Sequence, residues 1–553
     1  EEISALRGWL AAGAPYERHW AFVAPEAGRV PAAAHPIDHF IDRRLTETGH
    51  TRAPRADPFT LLRRVHLDLT GLPPTPEDAD AFAADPSPEA YAAVVDRLLA
   101  SPRYGERWAR RWLDLARYAD TNGYEKDRDR SIWPFRDWVI RALNADMPFD
   151  RFTVEQIAGD MLPGATPDQI VATGFHRNTM LNEEGGIDPL EFRVHAMTDR
   201  LATTGTTWLG LTTSCAQCHT HKYDPITHRD YYGMMAFLNN TDEPDYHLPA
   251  PDAATRRAQN LAEAATLLDT LPSQWPEKEG EPNFDESLAS WIEAQLTNTA
   301  DWQIINPQTM SANVPYLAQE EDGVIFAGGD TSKHDIYTLE FPALGHPVTV
   351  LRLEALPDIR LPGSGPGLAY YEGPKGDFFL SEIRIETSAG SLEFAGTSET
   401  VSGNAFGSNP ATAAQAIDGD IQTGWSDGKI NGRRQVAVFH LAAPLPAGTA
   451  FTIRMDFSRH YACALGKFRL SVANAAPTVR ATALSGDTHA ALARPDAVSD
   501  PAVREAFLMR APELAKQANK IRQLRSPVLG TPTLVMQERP TTHPRPTFLH
   551  HRG

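Results

Sequence analysis

The pattern of apolar and polar positions along the chain changes near Trp302. Before about residue 245, apolar residues recur every three or four positions, and a hydroxyl residue followed by Pro marks helix starts at Thr75-Pro76, Ser87-Pro88 and Ser101-Pro102. After Trp302, short runs alternate apolar and polar residues between Gly, Pro, Asn and Asp turns. The pattern therefore predicts a multidomain α+β chain, in which a mainly helical domain precedes an all-β sandwich.

The same changes of pattern set the predicted domain boundaries. The predicted segments are residues 1–22, a short N-terminal helix; 37–245, the helical domain; 250–300, a polar helical connector; 301–476, the sandwich; and 485–553, a helical linker with a Pro- and His-rich tail. Trp108, Trp112, Leu115 and Tyr118 are spaced as one face of a helix, and we predict that this stripe lies in the core. The predicted strands are Ile336–Phe341, Val350–Leu356, Phe378–Ile385, Val436–Leu441, Phe451–Phe457 and Phe468–Val472.

Composition narrows the class of partner. The 553 residues carry a formal net charge of −19, which disfavours nucleic acid and anionic lipid surfaces as partners. No run of eighteen apolar residues predicts a membrane span, and three cysteines are too few for a disulfide framework. Because the chain opens on Glu1 without an initiator Met, we expect it to be a fragment of a longer protein.

The strongest chemical signal is Cys215-Ala216-Gln217-Cys218-His219, hereafter the Cys motif. Two cysteines at this spacing form thioethers with the vinyl groups of haem c, and the following His ligates the iron. The residues alone leave two alternatives open. His221 and His228 could complete a zinc site, or Cys215 and Cys218 could form a local disulfide.

The second axial haem ligand has several candidates. His221 lies too close to His219 to reach the opposite haem face, which favours Met180, with His195 and Met234 as further candidates. An open sixth position is the alternative.

Two acidic clusters flank the Cys motif in the sequence. Asp120 and Glu125 lie in one Gly-containing loop, and Glu183 and Glu184 precede Gly185-Gly186 in another. Acids placed in this way can act as acid and base or bind a metal. A solvated surface loop is the competing interpretation.

Seven segments of the helical domain have a recognisable sequence, namely residues 113–120, 123–127, 148–153, 158–160, 178–180, 182–186 and 208–225. Together they resemble the planctomycete cytochrome-c-like family of large exported proteins. The resemblance implies haem c on Cys215, Cys218 and His219 and a periplasmic or otherwise exported location. Glu2 to Pro15 resembles the last helix of an upstream cytochrome c domain, and residues 535–540 resemble the start of a truncated C-terminal domain of unknown function.

The β segment has a resemblance of its own. Residues 416–420 and 423–426 resemble the discoidin or coagulation-factor type C module, a galactose-binding-like jelly roll that often binds glycans. The resemblance favours polysaccharide as a partner. Asp418 and Asp420 lie in a tight turn whose oxygens suit Ca²⁺. We predict that Trp425 is a core anchor rather than a platform for sugar stacking.

These observations lead to a first hypothesis and two alternatives. The first is an exported haem c redox protein that acts on or beside complex polysaccharide, with a redox partner or an upstream cytochrome c domain. The second is a non-redox glycan hydrolase or lyase that uses Asp120, Glu125, Glu183 and Glu184, with a structural Cys/His site. The third is a scaffold that binds surface glycan.

Overall fold

The computed structural model describes residues 1–551 except 16–18, 27, 32–33, 185, 277–278, 299, 372–373, 404–408 and 429–431. The chain divides into two compact units, Glu1–Leu98 and Leu99–Gly553, which we describe separately. The boundary falls inside the predicted helical domain. Helical elements dominate the N-terminal part of the chain and a β-sandwich follows, so the predicted order of structural classes is confirmed.

The first unit is helical. Its helices are α1 (Glu2–Ala11), α2 (Pro36–Glu47), α3 (Pro58–Leu69), α4 (Pro76–Ala84) and α5 (Pro88–Leu99). The predicted starts at Thr75 and Ser87 are confirmed, because each hydroxyl accepts a backbone N–H three residues later, at 3.1 Å and 3.2 Å. Leu62, Phe82 and Leu98 belong to the core that joins α3, α4 and α5.

The second unit opens with a further helical region. Its elements are α6 (Pro102–Leu115), α7 (Trp133–Asn144), α8 (Phe149–Ala158), α9 (Pro167–Ala172), α10 (Pro189–Thr204), a π-helical segment (Gly205–Leu209) and α11 (His228–Asn239). Trp112 lies at the centre of the aromatic core, with its ring 4.8 Å from Phe152 and 5.5 Å from Trp208. Trp108 and Leu115 are exposed, so the predicted stripe is only partly buried. The buried positions of α6 are small, since a side chain at Gly105 would meet Ile140 O of α7 at 2.5 Å.

The β-sandwich is antiparallel throughout its paired strands. Its strands are β3 (Gln303–Ile304), β4 (Thr309–Ala312), β5 (Tyr316–Gln319), β6 (Val324–Gly328), β7 (His334–Phe341), β8 (Val348–Ala355), β9 (Phe379–Leu380), β10 (Glu382–Thr387), β11 (Gly390–Leu392), β12 (Phe394–Glu399), β13 (Trp425–Ser426), β14 (Gln435–Leu445), β15 (Phe451–Ser458) and β16 (Lys467–Ala473), preceded in the chain by β1 (Thr241–Asp242) and β2 (Asp245–Leu248). One sheet has the order β11-β10-β15-β7-β4. The other has the order β12-β14-β8-β16-β6-β5, with β3 beside β16. A continuous apolar core joins both sheets.

The segments on either side of the sandwich in sequence form one helical layer. These elements are α12 (Ala253–Thr270), α13 (Phe284–Leu296), α14 (Gly486–Leu492), α15 (Pro501–Leu508) and α16 (Ala515–Arg525). Leu271 and Ile521 share one of its cores, and Arg257 donates to the carbonyl of Arg525 at 2.7 Å. The predicted connector and linker therefore pack against each other. The predicted helical stretch from Pro501 to Leu524 is interrupted at Pro512, where a 3₁₀ turn separates α15 from α16.

The C-terminal tail returns to the helical region that holds the Cys motif. Strand β17 (Thr531–Leu534) pairs with β2, and β18 (Gln537–Glu538) pairs with β1. Further along, Arg545 donates to Asp330 at 2.9 Å and to Asp242 at 2.5 Å. Among the described residues, no helix is both long and apolar enough to cross a membrane.

Candidate functional site

The Cys motif begins in a 3₁₀ turn, Ser214–Gln217. Side chains three residues apart eclipse each other in a 3₁₀ helix, so this turn directs Cys215 and Cys218 to the same side. Both thiols are unpaired and exposed, whereas Ala216 between them is fully buried. Ala216 belongs to the core formed by α10 and α11, which includes Leu201 and Tyr231. The turn is thus anchored on one side and offers both sulfur atoms on the other.

His219 is exposed beside the two thiols, and its tautomer follows from one contact. Its Nδ1 lies 2.8 Å from the carbonyl oxygen of Thr220. Because a carbonyl only accepts, Nδ1 carries a proton, and in the neutral ring Nε2 then holds the lone pair. Histidines that bind metals show this arrangement, in which one ring nitrogen donates to an oxygen and the other ligates.

The nearby histidines are engaged in local contacts. Nδ1 of His221 accepts the backbone N–H of Asp224 at 2.8 Å. The ring of His228 lies between the carbonyl oxygens of Ala216 and His550, at 2.9 Å and 2.8 Å. A zinc ion bound through His228 would have to displace one of these carbonyls. Within the described part of the chain, no cluster of three His, Cys, Asp or Glu side chains suits a metal ion.

Two tyrosines on α11 lie beneath the motif. Tyr232 donates its hydroxyl to the carbonyl of Gln217 at 3.2 Å. Burial raises the pKa of Tyr231 to about 12, with smaller contributions from Tyr232 and the nearby Cys218. Met234 packs partly buried against the same core, below the motif. These contacts fix the motif to α11.

Met180, the favoured sixth ligand, lies against the loop that holds Asp120 and Glu125. Gly123 in that loop has a positive φ of +76°, and a Cβ there would lie 2.9 Å from Met180 Sδ. The Met180 side chain is 56% exposed. Its contact with Gly123 places it beside the first acidic loop. His195, another candidate, is exposed on α10, 3.8 Å from Glu191.

The two acidic loops are neighbours. The backbone N–H of Leu181 donates to the carbonyl of Asn122 at 2.9 Å. Arg130 reinforces the junction by donating to the carbonyls of Asn178 and Thr179, at 3.2 Å and 2.7 Å. Burial, and secondarily Arg177, lower the pKa of Arg130 to about 10. The structure therefore brings together two acidic clusters that lie some sixty residues apart in sequence.

The four acids differ in their surroundings. Asp120 is exposed and accepts the hydroxyl of Tyr118 at 2.5 Å, and Glu125 is exposed. Glu183 is buried, 4.0 Å from Arg128, and accepts the hydroxyl of Tyr370 from the sandwich at 3.4 Å.

Glu184 is half-buried, and its backbone N–H donates to Asn182 Oδ1 at 2.9 Å. Gly185 lies outside the described residues. Glu183 thus joins the helical region to the sandwich, whereas Asp120 and Glu125 face solvent.

A buried charged cluster near these loops was not predicted from the sequence. Glu243 accepts from Arg200 at 2.6 Å and lies 3.4 Å from Arg177. Burial would raise the pKa of Glu243, but Arg200 and Arg177 lower it well below its usual range. The sequence signal that could have pointed to this cluster is the position of Arg177, immediately before the Asn178-Thr179-Met180 segment.

His176 is buried beside this cluster. In the described structure neither ring nitrogen has a hydrogen-bond partner, and the ring borders a narrow cavity that Asn178 and Thr203 also line. Burial, followed by the charge of Arg200, lowers the pKa of His176 to about 3. The imidazole is therefore neutral at physiological pH.

The predicted calcium turn is held by its own side chains. Asp418 accepts the backbone N–H of Asp420 at 2.9 Å and the hydroxyl of Thr423 at 2.8 Å. Asp420 accepts the backbone N–H of Gln422 at 2.9 Å. Trp425 is fully buried and donates to the carbonyl of Val401 at 2.9 Å. The prediction of Trp425 as a core anchor is confirmed.

One family model matches part of the chain. Residues 36–243 match the family model PSCyt2, described as a protein of unknown function (DUF1549). No curated protein matches the chain.

Solved structures similar to the chain include the catalytic domain of a GH87 alpha-1,3-glucanase in complex with nigerose. That match has 13% identity and a TM-score of 0.15, and it covers 33% of this chain and 29% of the other. A complex of the same domain with tetrasaccharides matches at 12% identity and TM-score 0.15 over the same shares. A likeness of this size supports no inference about fold or activity.

Proposed function

We propose that the Cys motif attaches haem c and that the protein is an exported redox component. The observation that carries this proposal is the local geometry: two exposed thiols share one side of the 3₁₀ turn, next to a His219 whose Nε2 is free to ligate. A disulfide would not require that tautomer. A zinc site would show it as well, and it is the engaged ring of His228 that argues against zinc.

Each residue has a defined part in this proposal. Cys215 and Cys218 would hold the haem through two thioethers, and His219 Nε2 would ligate the iron while Thr220 holds the ring through Nδ1. When bound, haem c supplies one-electron redox chemistry. Met180 is the proposed sixth ligand. Covalent haem attachment outside the cytoplasm implies a periplasmic or similarly exported location, with a redox protein or an upstream cytochrome c domain as electron partner.

Haem content tests this proposal directly. The full chain is expressed in a host with cytochrome c maturation machinery, and haem that stays on the denatured polypeptide is measured by staining and by its reduced-minus-oxidised spectrum. Cys215→Ser and Cys218→Ser in combination should abolish covalent haem. Cys463→Ala is the matched control, because Cys463 is buried in the sandwich and should retain full haem content. A wild-type chain that acquires no haem under these conditions would refute the proposal.

The second candidate function is a non-redox glycan hydrolase or lyase. It is favoured by the hydrogen bond between Leu181 and Asn122, which joins the two acidic loops. In this candidate Glu184 and Asp120 act as acid and base. The sandwich is proposed to be a galactose-binding-like module that holds the polysaccharide, with Ca²⁺ at Asp418 and Asp420.

Turnover of a polysaccharide panel tests the second candidate. Glu184→Gln and Asp120→Asn should each lower turnover at least a hundredfold, as expected for loss of an acid or a base. Glu191→Gln, an exposed acid on α10, is the control. Unchanged turnover in both loop variants would exclude these acids. Haem content is measured on the same samples, so the two candidate functions are separated.

A further inference from the structure

A concavity of about 460 Å³ lies along α6, lined by Arg107, Arg110, Arg111, Leu113, Asp114 and Tyr118. We refer to it as the arginine concavity. Its volume falls in the range of about 300–1,000 Å³ that is typical of small-ligand sites. Three guanidinium groups and one carboxylate give it a net positive charge, although the chain as a whole carries −19.

The arginines of the concavity differ from their neighbours on the same stretch of chain. Arg103, one turn earlier, binds Glu106 at 2.7 Å, and Arg117, just past the helix end, binds Asp199. For Arg107, Arg110 and Arg111, the described residues contain no carboxylate within 4.0 Å and no hydrogen-bond acceptor. Even Asp114, which lines the same concavity, makes no ion pair with them within the described structure.

This arrangement costs helix stability. Arg107 lies three and four positions before Arg110 and Arg111, and like charges at these spacings repel each other on a helix surface. If this face of the helix were only solvated, its arginines could be paired with acids, as Arg103 and Arg117 on either side are. An anionic ligand would remove the repulsion, because each guanidinium can bind a carboxylate or sulfate through two hydrogen bonds.

We propose that the arginine concavity binds an acidic oligosaccharide, in which sugar rings carry carboxylate or sulfate groups. Besides the three guanidinium donors, the concavity contains the Asp114 carboxylate, which accepts hydrogen bonds, and the Tyr118 ring. This mixture suits a ligand that has hydroxyl groups between its anionic substituents. A short oligosaccharide can lie within the concavity, whereas a long polyphosphate or an anionic bilayer would extend onto the rest of a chain that carries −19. This proposal stands whether or not the Cys motif carries haem, because none of its residues belongs to that motif.

Fluorescence anisotropy of labelled ligands on the full chain tests the proposal. The probes are an oligogalacturonate for carboxylate, a sulfated galactan fragment for sulfate, a neutral cello-oligosaccharide, a single-stranded DNA and phosphatidylglycerol vesicles. We expect saturable binding of at least one acidic oligosaccharide, weakened by salt. The preferred acidic probe identifies the anionic group.

The variants locate the site. Arg107→Gln, Arg110→Gln and Arg111→Gln should each weaken binding about tenfold, and the triple variant should abolish it. Asp114→Asn should tighten binding, and Arg103→Gln, which removes a paired arginine outside the concavity, should leave it unchanged.

Several results would overturn the proposal. These are an absence of acidic-oligosaccharide binding, equal binding of the neutral probe, stronger binding of DNA or vesicles, or undiminished binding by the triple variant. Circular dichroism confirms that each variant folds.

Discussion

Replacing Glu243 by Gln removes the negative charge from the buried cluster with Arg177 and Arg200. The Arg177 and Arg200 side chains are 6% and 2% exposed, and that of Glu243 is 28% exposed. The substitution keeps the size of the side chain and one acceptor oxygen. Both guanidinium groups therefore stay buried without their counter-charge.

The cost follows from the two contacts that weaken. A hydrogen bond to a charged group contributes about 1.5–3 kcal/mol, against about 0.5–1.5 kcal/mol for a neutral one. Weakening both contacts by this difference, about 1–1.5 kcal/mol each, gives a loss of about 2–3 kcal/mol, which reaches the lower limit of the range for breaking a buried ion pair. For the unit Leu99–Gly553, in which each residue adds about 2.1 cal/mol/K to the entropy of unfolding, this lowers Tm by about 2–3 °C.

The assay is scanning calorimetry of the full chain as a function of pH. The pKa of Glu243 is lowered from its ordinary value of 4.5, so its stabilising contribution is complete above about pH 4.5 and is lost as pH falls towards the lowered value. The gap between Glu243→Gln and wild type should narrow accordingly in acid. Glu191→Gln, a surface pair at 3.8 Å with a 63% exposed side chain, should change stability by less than about 0.5 kcal/mol. Equal stability of the two variants at pH 7 would refute the reasoning.

Three further substitutions test other contacts. His176→Gln should flatten the pH dependence of the urea midpoint. The pKa of His176 is lowered to about 3, so the wild type loses up to about 1.4 kcal/mol of its free energy of unfolding per pH unit as pH falls below about 6.5. An unchanged slope in the variant would contradict this. Gly159→Ala should destabilise by about 1–3 kcal/mol in urea unfolding, because a Cβ would lie 2.1 Å from Gln169 O; the matched control is Gly233→Ala, where a Cβ meets nothing within 4 Å. Arg545→Met should cost about 3 kcal/mol and expose the C-terminal tail to limited proteolysis, and tail cleavage at the wild-type rate would show that this arginine does not hold it.

Local signals predicted the regular elements well. The helix starts predicted at Thr75-Pro76 and Ser87-Pro88 are those of α4 and α5, and the predicted strand Phe451–Phe457 is one residue shorter than β15. Capping residues and short-range periodicity act within a few residues, so they can be recognised from the sequence alone. The two exposed members of the α6 stripe were missed because small residues at Gly105 and Ala109 form the buried face.

Burial by distant segments was hidden from the sequence. Strand β8 is buried on both faces, including Arg352 and Glu354, which alternation alone would assign to solvent. Trp302, Ala475 and Ala481 belong to the cluster that packs on its outer face, and Arg469 satisfies Glu354 at 2.8 Å. Such pairings depend on segments more than a hundred residues away.

The candidate site likewise combines local features that the sequence predicts with tertiary contacts that it does not. The spacing of the Cys motif is local, and it predicted two thiols and a histidine in one place. The hydrogen bond that fixes the His219 tautomer depends on the backbone path at Thr220, which the spacing does not specify. The meeting of the acidic loops rests on the Leu181–Asn122 hydrogen bond, a tertiary contact without a sequence signature.

The pairing of β17 with β2 has a consequence for synthesis. Thr531 emerges from the ribosome roughly 280 residues after Leu248, an interval of about 15–60 s at typical translation rates. During that time the edge of β2 has no strand partner from its own tail, and exposed edges invite pairing with other chains. We therefore expect a nascent chain stalled before residue 531 to be prone to aggregation and to depend on chaperones until the tail arrives.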